Sequence, residues 1–167
     1  MGKRFKAAVH HPVRLDRLIE DREHDAYRPA MKPPEPTVCP QCNVVFQDGR
    51  WAWAEAPPDA RQSFCPACRR IHDQFPVGFV HVSGNFFMQH REELERLIES
   101  ESEMEQSEHP LERIMEKAPA DGGGMVVTTT GIHLARRLGE ALHRACHGEL
   151  NFHYSDAENL VRVYWHR

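Results

Sequence analysis

"FCPACRRIHDQFPVG", Phe64 to Gly78, holds two cysteines two residues apart, then two arginines and an aromatic–proline break. Its counterpart lies upstream in "VCPQCN", Val38 to Asn43. Cys39 and Cys42 form one C-x2-C pair and Cys65 and Cys68 the other, with twenty-two residues between Cys42 and Cys65. Four thiolates in two close pairs suit one tetrahedral Zn2+ with bonds of about 2.3 Å. The connecting loop is slightly longer than the commonest zinc spacing and within reach of a hairpin. Pro40 and Pro66 follow the first cysteine of each pair and stiffen the turn that aims the sulfurs. Asn43 stands where a left-handed residue is often needed after such a pair, whereas Arg69, in the matching place, suits that conformation less well. A thioredoxin-type centre needs no second similar pair. Haem attachment needs a histidine where Asn43 and Arg69 stand. Rubredoxin-like iron is the alternative ion. A closed four-cysteine site leaves no coordination position for a substrate, so the expectation is one structural zinc and no catalytic role. A module of about forty residues with few apolar side chains buries too little surface to fold alone. A metal worth ~10 kcal/mol would supply the difference.

The 167 residues suggest one domain, or one domain plus a small module. A hydrophobic share of 40% and a charged share of 28% point to a modest core with solvated segments. No run approaches the roughly 18 apolar residues of a membrane span. The start, MGKRFKAAVHHPVR, is basic and lacks the apolar stretch of a signal peptide, so a cytoplasmic protein is expected. The odd count of five cysteines argues against a disulfide framework and for metal or catalysis. The net charge of −4 is uneven: Arg91 to Glu108 carries eight Glu and two Arg, a net of −6, which leaves the remainder at +2. The pattern is a mildly basic body with one acidic arm rather than a uniformly basic nucleic-acid binder.

Three segments follow. Residues 1–38 form a basic, proline-rich extension, with a short helix expected in VRLDRLIEDREHDAY and an extended PAMKPPEP. It is either a disordered tail or an arm that orders on a partner. Residues 39–78 form the zinc ribbon. Residues 79–167 alternate between strand and helix patterns. FVHVSG is a short strand between Gly78 and Gly84, and Asn85 can cap the following helix. In that helix Phe87, Leu94, Leu97, Ile98 and Met104 recur at helical spacing, with glutamates on the other faces. LERIMEK fits either period, and its place before the ADGGG turn favours a strand. MVVTTT is β-branched and strand-like. Thr130 is the expected cap of a helix over GIHLARRLGEALHRACHG, whose apolar stripe is Ile132, Ala135, Leu138, Ala141, Leu142 and Ala145. ELNFHYS and LVRVYWHR alternate as strands, joined by a DAEN turn, with Val161, Val163 and Trp165 on one face. The expected fold is therefore α+β: a four-cysteine zinc ribbon, then a ferredoxin-like split βαβ domain with an extra C-terminal edge strand. Two helices would cover one sheet face and leave the other free to bind.

Weaker signals concern partners. Arg69 and Arg70 beside the cysteine pair, and Arg136 and Arg137 one turn into the TTTGIHLARR helix, are candidate phosphate contacts together with Lys3, Arg4 and Lys6 of the basic arm and, less directly, Arg162. The competing reading is solvated arginines and a plain helix cap. Trp51 and Trp53 alternate, for core packing against the following domain or for base stacking. His143, Cys146 and His147 lie at helical spacings of three and four, as a second metal site or as a buried cysteine flanked by histidines. The acidic helix 91–108 is a solvated face, a surface that repels nucleic acid, or a dock for a basic protein tail. DGGG lacks the Gly-Lys-Ser/Thr of a phosphate loop.

The run CPxC, GRWxW and CPACRRIxDxFPxGxVxxSGxF, followed by EHPLERI, TTTGIHLARRLGEAL and VRVYWHR, resembles a bacterial family of small zinc-ribbon proteins over residues 25–167. More distantly, the cysteine pairs, the DGGG turn and the HLARRLGEAL helix with two strands after it resemble the N-terminal part of the nonsense-mediated-decay protein three family. Those proteins combine cysteine-pair zinc modules with α/β domains and bind the large ribosomal subunit. The resemblance implies Cys39, Cys42, Cys65 and Cys68 as zinc ligands and an RNA or a ribosomal subunit as partner. The expected function is a non-catalytic accessory factor that binds RNA or the ribosome. The alternative is a protein-interaction adaptor with no nucleic-acid role.

Overall fold

The structure is a computed structural model and describes Tyr27, residues 32–155 and residues 159–167. The expected short N-terminal helix and the candidate contacts Lys3, Arg4 and Lys6 lie outside the described residues, as does the DAEN turn except for Asn159. The chain is a mixed α+β protein with two sheets and four α-helices among the described residues.

The first sheet is small. β1 (Thr37–Val38), β2 (Val45–Gln47), β3 (Arg50–Ala52) and β4 (Arg61–Gln62) lie in the order β3-β2-β1-β4. Its opening strand, Thr37–Val38, comes from the end of the stretch read as an extension. Glu35 anchors the approach by accepting the backbone N–H groups of Asp48 and Gly49 in the β2–β3 turn. Helix α1 (Pro66–His72) follows β4.

The second sheet is the body of the molecule. β5 (Gly78–Ser83) leads into α2 (Asn85–Gln89) and α3 (Arg91–Glu108), then come β6 (Ile114–Pro119) and β7 (Met125–Thr129), α4 (Ile132–Cys146), β8 (Glu149–Ser155) and β9 (Leu160–His166). The LERIMEK segment is a strand from Ile114 onward. The strand order is β6-β7-β5-β9-β8. β5 pairs antiparallel with β7 and parallel with β9, while β8 and β9 form an antiparallel hairpin. The last strand therefore lies inside the sheet instead of adding to its edge, and β8 is the outer strand. The reason is visible in the side chains: Val161, Val163 and Trp165 of β9 are fully buried, whereas alternate residues of β8 are only half-buried. The more apolar strand takes the central place.

Helices α3 and α4 cover one face of this sheet. The core between them joins Val80 and Val82 of β5, Val127 of β7 and the three β9 residues to Leu94, Ile98, Leu134, Leu138 and Leu142. Several details differ from the periodicity argument. Asn85 does not cap α2. Gly84 holds that place at φ +105°, where a Cβ would meet the Arg167 carbonyl oxygen at 2.2 Å. Met104 is exposed, and Glu101, Ser102 and Glu105 turn inward, because α4 presents Arg137 and Arg144 to that part of α3. The stripe of α4 includes Leu134 and Gly139, and Ala145 is exposed. Thr130 does not cap α4. Its hydroxyl donates to the Leu111 carbonyl (2.6 Å) and accepts the Arg113 N–H (2.8 Å). The helix starts after Gly131, and the Glu112 carboxylate accepts the Leu134 N–H at 2.9 Å in its place.

Candidate metal centre

The two cysteine pairs arrive by different local structures. The first is a turn inside a hairpin. Val38 pairs with Val45, and the chain between them reverses through Cys39 to Asn43. The Cys39 N–H donates to the Val44 carbonyl (2.9 Å) and the Asn43 N–H to the Cys39 carbonyl (2.8 Å), which closes the turn around the sulfurs. Asn43 adopts φ 64°, the left-handed conformation its position suggested. The second pair is a helix start. Cys65 is the N-cap of α1, in extended conformation, and its Sγ accepts the Cys68 N–H at 3.4 Å. Pro66 follows as the first helical residue, where its missing N–H costs nothing. Arg69 is therefore helical, which removes the need for a left-handed residue after the second pair. The parallel pairing of β4 with β1 sets the two halves side by side.

The four Sγ atoms lie within 4.8 Å of one another, and no cysteine is in a disulfide. Cys42 and Cys65 sulfurs are 3.8 Å apart. That is about the edge length of a tetrahedron with metal–sulfur bonds of about 2.3 Å. Cys39, Cys65 and Cys68 are buried, packed with Val44 and Ala67 and flanked by Trp51 and Leu111. Burial pushes the Cys65 and Cys68 thiols up, Cys68 to about 11, and the neighbouring sulfurs raise them further. At Cys39 burial is outweighed by the backbone N–H groups of Cys65, Cys42 and Gln41, which bring the thiol down to about 7. Four thiolates in such a volume require a cation, and the donor set, spacing and burial fit a divalent ion with a preference for sulfur. Together these four cysteines are positioned to bind a metal ion.

A residue that pattern reading missed completes the site. Arg113, which precedes β6, is buried and directs its guanidinium at the sulfurs, with Nη2 3.1 Å from Cys42 Sγ and Nη1 3.4 Å from Cys68 Sγ. Its Nε donates to the Pro110 carbonyl at 2.7 Å, which fixes the approach. Burial alone would lower its pKa, but the hydrogen bonds and charge of Cys42 and the other thiols raise it. A divalent ion with four thiolates carries a net charge of −2, so one guanidinium compensates half of it. Trp53 lies over the same guanidinium, 5.9 Å from ring centre to Cζ, and its indole N–H donates to the Gln106 carbonyl of α3 at 2.8 Å. Trp51 packs on the cysteine cluster. Both tryptophans thus serve packing around the site, with Trp53 still 44% exposed.

The candidate phosphate contacts fare unevenly. Arg69 is exposed, with Nη2 3.2 Å from Ser63 Oγ. Arg70 is 3% exposed, its guanidinium stacked 4.5 Å over the Tyr27 ring. Arg136 pairs with Glu140 at 3.3 Å. Arg137 pairs with Glu101 at 3.0 Å and Glu105 at 2.5 Å, and Arg144 with Glu101 at 3.5 Å. Arg136, Arg137, Arg144, His133 and Glu140 line a depression, and its three guanidinium groups are paired with Glu140 or with the buried Glu101 and Glu105. Arg162 lies on the opposite face of the sheet, 5.5 Å over Phe79. His143, Cys146 and His147 do not converge: His143 Nδ1 is 3.0 Å from the Gly148 carbonyl, and Cys146 packs on the main core. Among the described residues the four cysteines are the one group of three or more ligating side chains whose atoms come together.

Comparison with protein families, curated proteins and solved structures finds no match. The centre's chemistry therefore rests on its own geometry. Among the described residues no helix is long and apolar enough to cross a membrane.

Proposed function

We propose that the four cysteines hold one structural Zn2+ and that the protein is a non-catalytic accessory factor that binds RNA or the ribosome. The observation that carries the metal part is the buried four-sulfur cluster with Arg113 locked against it. When bound, zinc supplies folding energy to a ribbon whose own apolar cluster is small. Four protein ligands leave no position for a substrate, which favours architecture over catalysis. The resemblance to the zinc-ribbon and ribosome-binding families supports the RNA part, and Arg69 beside the second knuckle is an exposed candidate contact among the described residues. The five-stranded body is read as a variant of the ferredoxin-like pattern in which the second hairpin inserts its last strand, β9, beside β5 and leaves β8 at the edge.

The test is joint. Purified protein is expected to contain one zinc per chain by elemental analysis and to bind single-stranded RNA with log K falling by about 0.7 per phosphate contact as log salt rises. Co-sedimentation with ribosomal particles in a lysate gradient would separate the ribosomal from the general RNA reading. Absence of metal with the thiols oxidised, or salt-insensitive RNA binding, would refute it. The adaptor alternative is favoured by Phe64 and Ile71, exposed on the ribbon around α1. It predicts capture of a protein partner that is lost in Phe64→Ser and is indifferent to ribonuclease.

A further inference from the structure

The sheet face turned away from α3 and α4 carries a composition unlike the rest of the surface. Strand register sets its rows. One row runs Glu116, Thr128, Phe79, Arg162, His153 across the five strands, and the next runs Ala118, Val126, His81, Tyr164, Asn151. The two middle strands, β5 and β9, thus place Phe79, His81, Arg162 and Tyr164 side by side on a face that no helix covers among the described residues. The His81 and Tyr164 rings stack at 4.6 Å with 12° between planes, and His153 meets Tyr164 edge-on at 5.4 Å. Arg162 lies over Phe79. Tyr164 is 39% exposed, in a position where an ordinary solvent-facing strand carries short polar side chains.

Charge on this face is arranged to match. Arg162 is central, with His81, His153 and His166 around it, while the carboxylates Glu116 and Glu149 sit on the outer strands β6 and β8. A middle that pairs the Arg162 guanidinium with flat rings and holds no carboxylate among the described residues suits a ligand that offers planar π faces on an anionic backbone. A protein tail of either charge does not need stacked rings, and a double helix hides its base faces. Burial, and then the charge of Arg162, hold His81 below the usual imidazole range, so its ring is uncharged and free to stack at neutral pH.

We propose that the open face of the five-stranded sheet binds single-stranded RNA, with bases stacking on Tyr164, His81 and Phe79 and the backbone running past Arg162. This rests on the RNA-binding reading above and assigns it a different surface from the arginines of α1 and α4, most of which the fold already uses. Stacking on aromatic rings is sequence-tolerant, so the preference is for single strands rather than for a sequence.

Full-length zinc-loaded protein is titrated into a fluorescein-labelled single-stranded RNA of about 12 nucleotides, followed by anisotropy, with the same RNA annealed to its complement as control. Tyr164→Ala and Phe79→Ala are each expected to weaken binding about tenfold, and Tyr164→Phe to keep it within about twofold. Arg162→Gln is expected to lower the salt slope by about 0.7, one phosphate contact. Ultraviolet crosslinking of wild-type protein, with peptides read by mass spectrometry, is expected to mark β5 and β9, which keeps the test open where a variant misfolds. Wild-type binding that Tyr164→Ala and Phe79→Ala leave unchanged, or crosslinks confined to α1, would overturn the assignment while the RNA reading stands. Wild-type protein that binds no RNA overturns both. A wild-type dimer that Tyr164→Ala converts to monomer in sedimentation would mean that a second copy covers this face, and would equally overturn it.

Discussion

Arg113 sits 8% exposed, and the hydrogen bonds of its guanidinium run to the cysteine sulfurs and to the Pro110 carbonyl on the strap that leads into β6. Replacement by methionine keeps much of the volume and removes the donors. Arg113→Met is expected to weaken metal affinity by about 10- to 100-fold, the usual effect of losing an outer partner of a metal ligand, measured by competition with a chromophoric chelator. Its neighbour Glu112 gives a second expectation. Burial raises its carboxyl above the ordinary 4.5, outweighing the Leu134 N–H, which lowers it. A raised carboxyl contributes its full stability below the ordinary value and loses it as pH rises through the folded value. Glu112→Gln keeps an acceptor for Leu134 without the charge. Its stability relative to wild type is therefore expected to improve as pH rises above the ordinary 4.5 in urea unfolding. The four cysteines were legible in the sequence because their spacing is local. Arg113 was not, because it lies forty-five residues from Cys68 and its own segment shows only a strand period.

Helix α4 meets the sheet at Gly139, where a Cβ would lie 2.5 Å from Val163 Cγ1 and 3.0 Å from Leu150 Cδ1. Alanine would gain about 1 kcal/mol of helix propensity, but overpacking of this kind costs about 1–3 kcal/mol. β9 is held by ladders on both sides and cannot retreat, so the steric cost wins. Gly139→Ala is expected to destabilise the protein by about 1 kcal/mol, seen as a lower urea midpoint with an unchanged slope. Beyond Leu94 and Ile98, the C-terminal half of α3 meets α4 through ions. Glu101 and Glu105 are both buried against Arg137. Arg137→Met is expected to cost about 1–2 kcal/mol, below the roughly 3–5 of a fully buried pair, because Arg137 remains partly in water. Adding Glu105→Gln should recover part of that loss. Periodicity found α3 and most of its apolar stripe but assigned its glutamates to solvent. A glutamate reads the same in sequence whether water or an arginine from another helix faces it. Thr130 and Asn85 carry the same lesson: cap residues by type, they are overruled by a hydroxyl needed at Leu111 and a glycine needed beside Arg167.

At the scale of the molecule, the ribbon buries a small cluster of its own and leans on the body through Arg113, Leu111 and the Trp53–Gln106 hydrogen bond. Metal removal is accordingly expected to act unevenly. Chelator treatment should raise amide hydrogen exchange across residues 37–72 and around Arg113, while β5, β7, β9 and α4, which share the main core, stay protected. The types of the body's strands were readable from alternation, β-branching and turn residues, except that LERIMEK fitted either period and only the ADGGG turn after it favoured a strand. Their order was not, since alternation says which side chains face inward and nothing about which neighbour a strand takes. That order has a kinetic meaning. Because β9 fills the middle of the sheet, its two hairpins cannot grow outward from a single nucleus. Each must find β5 separately, and Val80 meets Val163 only by closing a loop of more than eighty residues. Such a closure is entropically late and slow. Refolding is expected to show helical signal from α4 first, and only afterwards the quenching or blue shift of Trp165 as the seam between the halves zips shut.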